Sequence, residues 1–172
     1  MPNLVMPLPP PLPQGEGEHI VVSRQSNTSG LIALFRDGRI TSATRVGMIY
    51  ILTTAVTCLT GFGIFQHGGF NKAHVLGIIT LVVLGIAWTA GHSTLFGRAS
   101  RYVETIGYSA TMLFNLIPGI TETTTRLPLG APLLPNADAP ALQMASGVLL
   151  VLFLVVAVLQ ARSLRMTPPA SA

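Results

Sequence analysis

The sequence predicts an all-α membrane protein, a four-transmembrane-helix bundle with amino and carboxyl termini cytoplasmic, and three observations carry that expectation. Of the 172 residues, 9% are charged and 49% are hydrophobic, whereas soluble domains carry about 25% charge. The apolar residues gather into four runs, each near the roughly 20 residues that a hydrocarbon core of about 30 Å demands of a helix. The ten Lys and Arg fall between these runs, a topology signal and not the basic patch of a nucleic-acid binder.

The first 30 residues start proline-rich (Pro9, Pro10, Pro11) and turn polar (Gln25, Ser26, Asn27, Thr28). Such a stretch buries too little to offset its ordering entropy and is expected to be a disordered tail. It lacks the basic and then apolar pattern of a secretory signal, so no cleavage is expected. Residues 31–165 form the expected transmembrane domain, with helices near 46–65, 74–90, 102–120 and 142–161, and 166–172 a short tail.

The first run has no charge between residues 46 and 65 and places Tyr50, Thr53, Thr57, Thr60 and His67 on one helical face. The second opens at His74. The third holds Glu104, Tyr108, Thr111, Asn115 and Glu122 at helical spacing, so its polar stripe is expected to face protein, against the stripe of the first run. Asn115 lies three residues before Pro118, whose ring frees a carbonyl one turn back, which predicts a kinked, locally polar helix. The fourth run is charge-free, and its stretch 148–159 offers a face for a homo-oligomer or a larger membrane complex. Between the third and fourth runs, Pro128, Pro132, Pro135 and Pro140 mark a turn-rich loop.

Orientation follows from the basic residues. Arg24, Arg36, Arg39 and Arg45 precede the first run, Arg98 and Arg101 separate the second from the third, and Arg162 and Arg165 follow the fourth, against Lys72 and Arg126 in the other two loops. The arginine-rich side is cytoplasmic. The expected location is the cell inner (cytoplasmic) membrane, multi-pass, with the lipid bilayer as partner and no nucleic acid.

Candidate chemistry gathers at the outer ends, where His67 and His74 flank a short hairpin and Glu122 and Arg126 close the third run. Imidazole and carboxylate suit a divalent ion such as zinc, which makes His67, His74 and Glu122 the candidate metal ligands. Glu122 and Arg126 stand four apart and also fit a local ion pair. Haem is the other cofactor alternative, but His74 and His92 share one helix about 27 Å apart and cannot bind one iron together. The single cysteine, Cys58, offers neither a disulfide nor a cysteine cluster within the chain. The sequence has no nucleophile elbow, phosphate loop or dinucleotide fingerprint.

Gly38-Arg39 and Arg45 before the first run, Gly68-Gly69-Phe70 with His74 opening the second, and Glu122-x-x-x-Arg126 closing the third resemble the bacterial "predicted membrane protein" family of unknown function. The resemblance spans roughly residues 38–126 and implies a small multi-helix membrane architecture. Such proteins carry further histidines before the first helix and at the start of the third. The corresponding stretches here, Ser42-Ala43-Thr44-Arg45 and Arg98-Ala99-Ser100-Arg101-Tyr102, contain none.

The expected function is non-enzymatic: binding or passing a small ligand or proton along the seam between the first and third runs. Glu104, Tyr108 and Asn115 lie on that seam, with His67, His74, Glu122 and Arg126 at its outer mouth. The alternatives are a metal- or haem-binding redox protein or enzyme using the outer histidines, and a structural accessory subunit.

Overall fold

A computed structural model describes residues 16–62, 72–126, 132–136 and 138–166. Among the described residues the chain is all-helical, with five α-helices and no strand: α1 (Glu16–Asp37), α2 (Arg45–Gly61), α3 (Lys72–His92), α4 (Ser100–Arg126) and α5 (Pro140–Met166), plus one short 3-10 turn, Gly97–Ala99. The four apolar runs correspond to α2 through α5.

The first correction concerns the amino-terminal segment. From Glu16 onward it is helix, not tail, because Ser26, Ser29, Gly30 and Ala33 present one small-residue face that is buried against α2 and α4. Of the polar side chains on that face, Ser26 bonds Thr54 of α2 and Ser29 donates to the Gln25 carbonyl of its own helix. Residues 1–15 lie outside the described residues.

α1 ends at Gly38, whose φ of +68° is the left-handed conformation glycine adopts without strain, and its N–H donates to the Leu34 carbonyl at 3.0 Å. A short connector leads to Thr44, whose hydroxyl oxygen accepts the Gly47 N–H at 3.1 Å and caps α2. α2 then runs antiparallel to α1, as the pairings of Ser26 with Thr54 and of Gly30 with the Tyr50 ring require. A Cβ on Gly30 would stand 2.9 Å from that ring, so the absent side chain is what lets the two helices approach.

α3 and α4 form a second antiparallel pair, with Ala87 against Gly107 and Gly91 against Glu104. α4 continues through Pro118 and is the central helix, packing on α1, α3 and α5. The backbone N–H of Leu134 donates to the Thr124 carbonyl at 3.0 Å, which holds the loop before α5 at the carboxyl end of α4.

One end of the bundle thus collects the α1–α2 connector, the α3–α4 connector and the end of α5. This is the arginine-rich end, with Arg36, Arg39, Arg45, Arg98, Arg101, Arg162 and Arg165. Arg24 departs from expectation, since α1 carries it 12 residues, or about 18 Å, up the bundle from Arg36.

Among the described residues two helices are long and apolar enough to cross a membrane, α3 and α5; the apolar α2 has 17 residues. α4 falls short of the apolar pattern because protein surrounds it, so its inward-facing positions are Thr105, Ser109, Thr111 and Asn115. The distribution of side chains on the surface runs opposite to that of a soluble bundle. Leu52 and Leu59 of α2, Val82 of α3, and Val151 and Leu159 of α5 point outward and exposed, while the interior combines an apolar cluster around Ile40, Ile51, Leu84 and Met112 with buried hydroxyls and amides.

Candidate functional site

The polar interior starts from the α2–α4 seam. The Thr111 hydroxyl donates to the Tyr108 carbonyl at 2.8 Å, so the 2.8 Å bond between Tyr50 and Thr111 uses the Tyr50 hydroxyl as donor. One turn further along, the Asn115 amide donates to Thr54 Oγ1 at 3.1 Å, and Thr54 shares a 2.7 Å hydrogen bond with Ser26 of α1. Tyr50, Thr54 and Thr111 are fully buried. The expected meeting of the two stripes exists, but its α2 side is Tyr50 and Thr54. Thr53, Thr57 and Thr60 donate to carbonyls of their own helix, three or four residues back.

At the arginine-rich end the seam opens onto a carboxylate. Glu104, near the start of α4 and half-buried, accepts from the Thr41 hydroxyl at 3.3 Å and the Ser42 hydroxyl at 3.4 Å. Its carboxyl carbon stands 2.8 Å from where a Cβ on Gly91 would be, so the glycine makes room for it. One turn on, the Tyr108 ring is fully buried, and its hydroxyl makes no hydrogen bond within 3.5 Å among the described residues. The next residue, Ser109, donates to Gln160 Oε1 at 3.0 Å, and Gln160 Nε2 donates to the Gly38 carbonyl at 3.0 Å. One buried amide thereby ties α5 to α4 and to the α1–α2 connector.

No family model, curated protein or solved structure matches the chain. The resemblance to the membrane-protein family therefore rests on the residues quoted for it.

At the opposite end, His74 and Glu122 are the candidates whose side chains are described. His74 is buried in the first turn of α3, its ring stacked on Phe62 with centroids 6.2 Å apart. Glu122 is half-buried near the end of α4. His67 lies outside the described residues, as does the expected ion pair between Glu122 and the Arg126 side chain. Among the described residues no three His, Cys, Asp or Glu side chains come together as a metal would need. α3 is continuous from Lys72 to His92, which keeps His74 and His92 at opposite ends of one helix. The His92 ring stacks on Trp88 at 4.0 Å and its Nδ1 is bonded to the Trp88 carbonyl at 2.9 Å.

Four participants, Ser26, Thr41, Ser42 and Gln160, were not singled out from the sequence. Ser26 lay in the assumed tail. Thr41 and Ser42 sit in a connector that shows no periodicity. Gln160 did leave a signal: it is a lone amide closing the apolar stretch 148–159, and an isolated polar group at such a position needs a buried partner.

Proposed function

We propose that the protein is a multi-pass integral protein of the cytoplasmic membrane that takes up a proton or small polar ligand at Glu104 and Tyr108, the arginine-rich end of its interior seam. The membrane part of the reading is supported by α5, whose most apolar stretch is almost wholly uncovered by protein, only 6% of it being buried. A soluble core helix of such composition would be covered, since exposing apolar surface to water costs about 25 cal/mol per Å². With α2 through α5 as the four membrane-embedded helices, the positive-inside rule puts the arginine-rich end and the carboxyl terminus in the cytoplasm.

The observation that carries the functional part is the Tyr108 hydroxyl, fully buried and without a hydrogen-bond partner among the described residues, one turn from a half-buried carboxylate. A buried hydroxyl left unpaired loses its hydration without compensation, and a ligand or a proton-carrying water beside Glu104 would restore it. Deeper in the seam, Ser26, Thr54 and Asn115 satisfy one another, which favours a structural role for them. The redox reading would need His67 to join His74 and Glu122. A Soret band or stoichiometric zinc in detergent-purified protein would raise that reading above this one.

In phosphatidylcholine–phosphatidylglycerol vesicles loaded with a pH-sensitive dye, the full chain is expected to dissipate an imposed proton gradient faster than protein-free vesicles. Glu104→Gln is expected to bring the rate back to the protein-free level. Equal rates for the wild type and E104Q would remove Glu104 from any proton route.

A further inference from the structure

We infer that α1 is a fifth membrane-embedded helix and that its amino end therefore lies on the external face, opposite the carboxyl end of α5. The inference rests on the membrane reading above and contradicts the cytoplasmic amino terminus expected from the sequence.

Its 22 residues extend about 33 Å, the thickness of a hydrocarbon core. The antiparallel pairing with α2 is fixed at two levels, Ser26 with Thr54 and Gly30 with Tyr50. A third contact sets the depth: Asn27 Nδ2 stands 2.8 Å from where a Cβ on Gly119 would be, in the outer part of α4. If α2 and α4 cross the membrane, α1 beside them occupies the same depth.

The side chains of α1 suit that position. Its inward face is polar or small and engaged with α2 and α4, while Leu31, Ile32 and Phe35 face outward, Phe35 at 88% exposure. This outward face continues the apolar surface formed on α2 by Ile49, Leu52, Val56 and Leu59, and acyl chains are the partner that covers both. The outward Thr28 hydroxyl donates to the Arg24 carbonyl at 2.9 Å, so it enters lipid already satisfied.

The one charge on the middle of α1 is accounted for by depth. Arg24 is two residues beyond Ser26, which pairs with Thr54, and hence about level with Val56 of α2, five residues or about 7.5 Å short of that helix's end at Gly61, a distance its long exposed side chain spans toward the headgroups. Moving Arg24 outside leaves seven of the ten basic residues (10 minus Arg24, Lys72 and Arg126) at the cytoplasmic end, so the charge bias that orients the bundle persists.

The test is labelling of single cysteines by a membrane-impermeant maleimide in intact cells expressing the full chain with Cys58→Ser. Val21→Cys reports the amino end of α1, Arg36→Cys its carboxyl end, Asn136→Cys the external loop and Arg165→Cys the cytoplasmic end of α5. V21C is expected to label from outside together with N136C, and R36C and R165C only after permeabilisation. V21C labelling only after permeabilisation, while N136C labels from outside, would overturn the inference and leave the membrane reading standing. Release of the unmodified chain from membranes by alkaline carbonate would overturn both.

Discussion

Thr54 and Thr53 are adjacent in sequence and opposite in consequence. Thr54 holds Ser26 of α1 and Asn115 of α4 at once, whereas the Thr53 hydroxyl closes on the carbonyls of Ile49 and Tyr50. Thr54→Val is therefore expected to destabilise the protein by about 1–2 kcal/mol in mixed-micelle SDS titrations, because it strips partners from two helices in one step. Thr53→Val should cost under about 0.5 kcal/mol, since a residue bonded to its own helix ties nothing together. Equal losses for the two variants would show that the three-way bond does not hold the helices. Glu104 and Tyr108 belong to the same scale: neither is distinguished by type, and their interest lies in a carboxylate and an unpaired hydroxyl sharing one buried corner with Ser42.

At the scale of elements, the α1–α2 hairpin depends on a residue with no side chain. A leucine at position 30 would have to occupy space held by the Tyr50 ring and the Met112 sulfur. Gly30→Leu is expected to cost about 1–3 kcal/mol through overpacking, and to separate α1 from α2. Faster proteolysis within α1, with the rest of the bundle intact, would report that separation; an unchanged digestion pattern would contradict it. α5 uses the reverse device. It presents apolar side chains along most of its length and is fastened near its arginine-rich end by Gln160, which engages Ser109 and the Gly38 carbonyl together.

At the scale of the whole molecule, the bundle is apolar outside and hydroxyl-rich inside, an arrangement that suits lipid as solvent. A reporter fused after Arg165 is expected to read cytoplasmic and one inserted at Asn136 external; the opposite pattern would defeat the assignment of the arginine-rich end. Because the outward faces of α2, α3 and α5 form the surface, the protein should resist carbonate extraction.

Hydropathy and charge in the sequence were enough to locate helices α2 through α5 and the arginine-rich end, because both follow from local composition and the length a helix needs, whereas only α3 and α5 among the described residues are long and apolar enough to cross a membrane. The third-run stripe was legible too, since Tyr108, Thr111 and Asn115 recur at helical spacing and are buried as a set. Local composition could not reveal that residues 16–30 fold, because Ser26, Ser29 and Gly30 look like tail until α2 and α4 stand beside them. Nor could it choose Thr54 over Thr53, one position or about 100° around the helix, since the rotation of α2 is set by its neighbours. The amino terminus shows the same division. An arginine at position 24 counts with the other basic residues in a chain read as linear, and only antiparallel pairing of α1 with α2 carries it about 18 Å away from the arginine-rich end.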